Sequence, residues 1–382
     1  MAKVEHSIQL LSQKEPLPNN AVVCLMAPTA SGKTSLAYEL YESGKFEIIS
    51  VDSALIYRNM NIGTAKPTEV ELRQYPHYLV DIIDPTESYS VANFVTDVEC
   101  LTKEIHSRNK IPVLVGGTMM YYMALFDGLS AVPDTDKQIR FEVEKWRLDQ
   151  GTESLYQYLQ QVDPIIAERL PLGDTQRITR AVEVYKQTGK PLSEWQKLPK
   201  QALSNSSQQY WLGLAVMPDR PWLHKRIELR LQIMWQQGFF NEVIELLQRY
   251  NLSSDMPSMR CVGYRQVIDY LLLTGHPAAK QLINYQEASE FLERDCERVD
   301  KAFACQDMKN KALYATRQLA KRQYTWLRNL VSNFDQAHSD STIHDITKST
   351  SFNSSNKNNN SDKHVIAFEH INEVRNYLAS RI

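Results

Sequence analysis

The sequence predicts an α/β fold, a parallel β-sheet with flanking helices and an inserted small helical domain. Three observations carry that expectation. Between residues 21 and 115 short apolar runs alternate with helix-patterned stretches, the pattern of strands joined by crossover helices. The run Ala27-Pro28-Thr29-Ala30-Ser31-Gly32-Lys33-Thr34 sits directly behind one apolar run and directly before residues 35–40, which reads as strand, tight loop and helix. From about residue 134 to 195 the strand pattern vanishes, so that region is read as an insertion.

In chain order, residues 21–26 form the first expected strand. Residues 46–51, 78–83 and 111–115 follow as strands, with a helix over 91–107. Asp52 comes directly after the second strand, and Gly116-Gly117-Thr118 directly after the fourth. Ligand-facing groups in parallel sheets gather at the carboxyl ends of the strands, so these two loops and residues 27–34 should converge. Within the insertion, 137–150, 154–161, 165–170 and 174–188 read as short helices. Residues 210–217 resemble a returning strand, followed by long helices over 221–250 and helical patterning over 263–331. Residues 349–362 are nearly all Ser and Asn, a composition too polar to bury a core; residues 364–380 form a short amphipathic stretch suited to a docked terminal helix. The expected organisation is a flexible leader over 1–20, a core over 21–133 and 200–332, a helical insertion over 134–199 and a low-complexity tail over 333–382.

A loop of the 27–34 type turns consecutive backbone N–H groups inward and aims a helix N-terminus at the same point, so it binds phosphate. Lys33 reaches outer phosphate oxygens and the Thr34 hydroxyl suits a magnesium ion; the sheet is therefore expected to be P-loop NTPase-like. Ala27 stands where glycine is commoner in such loops. Asp52 reads either as a base or metal partner beside the loop, or as a cap for the segment after it.

Hydrophobic content of 43% and charged content of 23% are those of a globular protein. No run approaches the ~20 apolar residues of a membrane helix, and residues 1–20 lack a signal-type apolar core, so a cytoplasmic protein is expected. The five cysteines, Cys24, Cys100, Cys261, Cys296 and Cys305, form no C-x-x-C pair and read as reduced thiols. Net charge is −2, yet residues 308–334 carry no acid while holding Lys309, Lys311, Arg317, Lys321, Arg322 and Arg328. That local basic segment is either a solvated helix face or a nucleic-acid contact.

A nucleotide kinase or NTPase would carry a second acid after an apolar strand to hold magnesium. The strand at 111–115 runs instead into Gly116-Gly117-Thr118. A P-loop nucleoside or small-molecule kinase using ATP remains an alternative, as does an RNA-binding module with a vestigial loop.

Several separated blocks resemble the bacterial tRNA dimethylallyltransferase (tRNA isopentenyltransferase) family. They are residues 27–34; Ser50-Val51-Asp52-Ser53-Ala54-Leu55-Ile56-Tyr57-Arg58; Asn61-Ile62-Gly63-Thr64-Ala65-Lys66-Pro67; residues 76–85; residues 115–121; residues 174–181; residues 259–266; and residues 315–328. The likeness covers roughly residues 20–330. It implies transfer of a dimethylallyl group from dimethylallyl diphosphate to N6 of the adenosine 3′-adjacent to the anticodon, with Mg2+ as cofactor and a tRNA anticodon stem-loop as partner. A monomer is expected. The resemblance suggests Arg230 as a diphosphate clamp, with a surface salt bridge as the alternative. It also implies tRNA contacts from Asp52, Ser53, Ala54, Leu55, Thr118 and Arg140, and from Gln176, Arg177, Ile178, Thr179 and Arg180 in the insertion. Further contacts are implied at Arg260, Cys261, Val262, Gly263, Tyr264 and Arg265, and at Lys321, Arg322, Gln323, Tyr324, Thr325, Trp326, Leu327 and Arg328. Arg317, Lys321, Tyr324 and Arg328 fall on one helical stripe. Asp52 is the chosen base for the adenine amine, with Lys33, Thr34 and Arg230 on the leaving diphosphate. Two departures stand out: residues 271–310 look longer than the family carries, and the zinc finger of eukaryotic relatives is absent.

Overall fold

The computed structural model describes residues 15–289, 300–339 and 363–382. Cys296, the first part of the leader, the Ser/Asn tract and part of the 271–310 stretch lie outside the described residues. The chain divides into two compact units, one taking in the chain up to Met123 and from Ser206 onward, the other Ala124–Asn205. The insertion is thus about ten residues longer at its start than the pattern of residue types suggests.

The first unit is built on six parallel strands in the order β3-β2-β4-β1-β5-β6. These are β1 (Ala21–Met26), β2 (Phe46–Val51), β3 (His77–Tyr78), β4 (Ile111–Gly116), β5 (Tyr210–Val216) and β6 (Lys363–Phe368). Helix α1 (Lys33–Glu42) follows β1, α2 (Glu69–Gln74) precedes β3, α3 (Val91–Ser107) leads into β4 and α4 (Met119–Asp127) leaves it. All six residues of β1 are fully buried, as expected for a central strand covered on both faces. Its register sets the geometry of the site. Met26 lies beside Gly116, and Val51 lies beside Gly116 on the other side, so the loops leaving β1, β2 and β4 emerge at one edge of the sheet. A Cβ on Gly116 would stand 1.9 Å from the Val51 carbonyl oxygen, so only glycine allows that approach.

Two expectations are corrected here. Of the 78–83 run only Tyr78 enters the sheet, with His77 just before it, because Leu79 and Asp81 take left-handed conformations (φ 63° and 55°) that end the extended chain. Residues 363–382 are no low-complexity tail: β6 pairs in parallel with β5 from Trp211↔Lys363 to Val216↔Phe368. After β6, the chain's last helix (Ile371–Ala379) packs Val374, Tyr377 and Leu378 into the core beneath α1, where Arg375 forks onto Glu39 at 2.6 and 2.8 Å. The leader is likewise anchored at its end, with the Leu17 N–H donating to the Arg381 carbonyl.

The second unit is all helical: α5 (Lys137–Val162), α6 (Pro164–Arg169), α7 (Thr175–Thr188) and α8 (Leu192–Trp195). Gly151, at φ 81° and ψ 166°, breaks α5 into the two expected helices. Val143, Leu155, Leu159, Ile166, Ile178 and Val182 form this unit's own core. Back in the first unit, α9 (Arg220–Gln236), α10 (Phe239–Arg249), α11 (Tyr264–Leu273), α12 (Tyr285–Ser289) and α13 (Lys301–Ser339) come, among the described residues, before β6 and the last helix, α14. Among the described residues no helix is long and apolar enough to cross a membrane.

Candidate active site

The phosphate-type loop folds as its residue types require. Gly32 stands before α1 at φ 94°, and Ala30 is left-handed at φ 63°, so the chain doubles back and presents the start of α1 to the cavity. Ser31 is buried and its Oγ has no hydrogen-bond partner among the described residues. An orphaned buried hydroxyl in an anion-binding turn matches a loop built to wrap oxygen atoms. Lys33 bonds loosely to the Pro28 carbonyl at 3.4 Å. Burial, with Arg230 adding to it and Asp52 opposing, lowers its pKa to about 8.

Two cavities meet at this point, of about 850 and about 540 Å³. The larger is lined by residues 30–35, by Arg58, Lys66 and Asp81, and by Arg226 on α9. The smaller is lined by Thr29, Asp52, Thr118, Arg260, Arg322 and Trp326, over an apolar floor of Ile227, Leu231 and Phe239. Arg230 and Met234 line both.

Arg230 is not a surface ion pair. It donates to Thr29 Oγ1 at 3.2 Å and to the Thr64 carbonyl at 3.5 Å, and burial, partly offset by Asp52, pulls its pKa down. This half-buried guanidinium has no carboxylate within ion-pair distance among the described residues, which leaves its charge free to meet an anion. One turn earlier Arg226 bonds the Ala30 carbonyl at 2.7 Å and lies over the Trp222 ring.

Asp52 caps the segment after it and also lines the smaller cavity. Its Oδ1 accepts the backbone N–H of Ala54 at 2.9 Å and of Leu55 at 3.4 Å, while Oδ2 accepts no hydrogen bond from the described residues. Thr118 stands across from it: Thr118 N–H donates to the Val51 carbonyl, and its Oγ1 accepts from Ser53 N–H at 3.0 Å. The strand-end convergence expected from the sequence therefore gathers Lys33, Asp52 and Thr118.

The basic helix is placed differently from its stripe. Arg317 pairs with Glu228 at 3.1 Å and Tyr324 donates its hydroxyl to the Met217 carbonyl at 3.0 Å. The face of α13 on the smaller cavity carries Thr316, Leu319, Arg322, Gln323 and Trp326. Lys321, Thr325 and Arg328 are exposed, and Leu327 is fully buried. Arg260, Cys261 and Val262 line the cavity with Tyr264; Gly263 is buried, and Arg265 points to solvent near Asp269 at 3.9 Å.

In the second unit Ile178 is core, Thr179 has a buried hydroxyl with no partner among the described residues, and Gln176 is exposed. Arg177 holds its own cap residue, Asp174, at 2.9 Å. Arg180 bonds Thr135 and the Pro133 carbonyl, and Arg140 lies 4.0 Å from Glu183.

One functional residue escaped the sequence reading. Glu242 on α10 is buried and accepts the N–H groups of Asn61, Ile62 and Gly63 at 2.6–3.0 Å and the Tyr264 hydroxyl at 2.6 Å. It fixes the loop whose Thr64 carbonyl receives Arg230. No spacing signal pairs residues 180 positions apart; only the unusual burial of an acid marks it.

A parallel sheet with a phosphate-type turn, a half-buried arginine over it and a carboxylate beside it defines a P-loop-like α/β fold. The sequence profile of the IPP transferase family matches residues 55–330. The chain belongs to that family. It is 63% identical to the tRNA dimethylallyltransferase of Psychrobacter sp. (strain PRwf-1), over 97% of this chain and 98% of that one. It is 48% identical to the tRNA dimethylallyltransferase of Acinetobacter baumannii, over 81% and 90%. Among solved structures it resembles the full-length tRNA isopentenylpyrophosphate transferase of Bacillus halodurans at 30% identity and a TM-score of 0.51, over 81% and 87% of the two chains. A eukaryotic dimethylallyltransferase acting on tRNA matches at 23% identity and a TM-score of 0.58, over 81% and 70%; that likeness bears on the fold alone.

Proposed function

We propose that this enzyme transfers the dimethylallyl group of dimethylallyl diphosphate to N6 of the adenosine 3′-adjacent to a tRNA anticodon, releasing diphosphate. The observation that carries the reading is the placement of Arg230 on the wall shared by the two cavities, between the loop of Lys33 and the carboxylate of Asp52. The diphosphate lies on the 29–34 loop, gripped by its N–H groups, Lys33, Arg230 and Arg226. The five-carbon group extends over the apolar floor of the smaller cavity. Adenine, flipped out of the anticodon loop, enters that cavity from the side of Arg260, Arg322 and the exposed Trp326 indole, which offers a stacking face.

In the transfer the allylic C1–O bond breaks and the electron pair leaves with the diphosphate. The fixed positive charges of Lys33 and Arg230 stabilise the leaving group as its charge grows. The adenine N6 lone pair forms the new bond to C1, and its proton passes to Asp52 Oδ2. Thr34, exposed on the wall of the larger cavity, is the residue that would hold magnesium. A single hydroxyl suits a hard ion that keeps several waters and takes other oxygens from a diphosphate, and when bound it supplies further charge neutralisation.

The test is to incubate the protein with an anticodon stem-loop and either prenyl-labelled dimethylallyl diphosphate or γ-labelled ATP. Label on the RNA from the prenyl donor alone is expected. Phosphoryl transfer from ATP, with the prenyl donor untouched, would establish the kinase alternative instead.

A further inference from the structure

We propose that Gln323 is a positioning residue for the phosphate loop, tying helix α13 to two of the three strand-end loops of the site. Its side chain is 8% exposed. Oε1 accepts the Thr29 N–H at 3.0 Å, and Nε2 donates to the Gly117 carbonyl at 2.8 Å. The orientation of the amide is fixed by chemistry, since Thr29 N–H only donates and Gly117 C=O only accepts. Near neutral pH no other side chain of this size presents one acceptor and one donor in that order, since a glutamate there is ionised and only accepts. The fit leaves no slack, for a Cβ on Gly117 would fall 2.6 Å from Gln323 Nε2.

Thr29 is held twice: its N–H by Gln323 from α13 and its hydroxyl by Arg230 from α9. The next residue, Ala30, is in the left-handed region at φ 63°, a conformation that persists only where the surroundings over-determine it. Gln323 supplies part of that constraint. The residues flanking it on the same helix face, Leu319, Arg322 and Trp326, line the smaller cavity. The helix that presents these groups to the acceptor side thereby also sets the shape of the loop on the donor side. An amide committed to two backbone groups is a strut of the diphosphate site. The inference rests on the proposed function, in which this loop grips diphosphate.

The experiment uses the full chain with Gln323→Glu, reading the binding of magnesium pyrophosphate by calorimetry and of an anticodon stem-loop by fluorescence, across pH. The ionised carboxylate faces the Gly117 carbonyl with no proton to donate; the protonated acid restores both bonds. At about pH 8 pyrophosphate should bind the variant about 10–100-fold more weakly than wild type. At about pH 5.5 the ratio should return to within about threefold, because burial raises a carboxyl pKa. Asp52, Arg230, Arg260 and Arg322 line the same cavity in both proteins, so the ratio isolates position 323. Stem-loop affinity should stay level. A variant-to-wild-type ratio that does not change with pH overturns the proposal, as does a loss of stem-loop binding with pyrophosphate binding intact, which would make Gln323 an RNA contact. Should wild-type protein itself fail to bind pyrophosphate, the functional reading falls and takes this inference with it; a flat ratio in a binding-competent protein removes this inference alone.

Discussion

Arg230 on α9 donates to Thr29 Oγ1 at 3.2 Å, joining the phosphate loop to a helix 201 residues further along the chain. The guanidinium is half-buried, and among the described residues no carboxylate is in ion-pair contact with it. Replacing it removes fixed charge from the site of the departing diphosphate. Arg230→Leu should lower kcat/KM for the prenyl donor by about 10²–10³-fold, the scale of one lost transition-state donor. Arg230→Lys should recover only part of this, because an ammonium cannot span Thr29 and the diphosphate together. Steady-state kinetics at saturating stem-loop give the comparison; an unchanged value for the leucine variant would exclude the clamp.

Asp52 caps the chain with one oxygen and, in the proposed reaction, takes the proton with the other. Asp52→Asn keeps an acceptor for the Ala54 and Leu55 N–H groups but cannot take a proton. Turnover should fall by about 10²–10⁴-fold with thermal stability and stem-loop affinity retained. Asp52→Ala should lose the same activity and in addition about 1 kcal/mol of stability from the missing cap. Full turnover in the asparagine variant would remove Asp52 from the proton transfer.

Lys33 gives the free enzyme a pH dependence. With its pKa lowered to about 8, the ammonium is present below that pH and is lost as pH rises through it. An anion binds the charged form and raises the lysine pKa in the complex. Pyrophosphate affinity should therefore be level near pH 7 and decline by up to about tenfold per pH unit above about 8. Lys33→Arg should flatten that decline, since a guanidinium stays charged. Isothermal titration from about pH 6.5 to about pH 9.5 checks the sign and the midpoint.

Glu242 should matter to stability before it matters to chemistry. Glu242→Ala strips the acceptor from three backbone N–H groups and the Tyr264 hydroxyl, at a cost of about 3–5 kcal/mol. Glu242→Gln, which still accepts on one oxygen, should cost less. Urea denaturation of both variants against wild type tests the order, and equal stabilities would show that the 61–64 loop is held by other contacts.

The last strand and helix should be indispensable. Ending the chain at residue 340 uncovers the edge of β5 and removes Ile366, Phe368, Val374 and Leu378 from the core under α1. The shortened chain is expected to be insoluble or to unfold far below wild type, since an unpaired inner strand invites aggregation. A soluble protein with wild-type melting temperature would contradict that role.

The chain's local chemistry determined a good deal unaided. The apolar run before residues 27–34 and the helix after them define a tight strand-to-helix turn of phosphate-loop type, because consecutive small residues and a helix start fix the backbone within one short window. Asp52 and Thr118 follow strands and so had to reach the same sheet edge. Three features were decided only by the tertiary fold. The strand β6 falls in a stretch read from sequence as the start of a docked amphipathic helix, and becomes a strand because β5 offers an open edge to pair with. Glu242 looks like an ordinary polar position on a helix, and Gln323 reads only as an implied tRNA contact; both become struts because packing buries them against backbone groups 179 to 294 residues away. Periodicity and spacing report neighbours along the chain, whereas the partner of a buried polar group is chosen by which distant backbone atoms the folded core leaves in need of one.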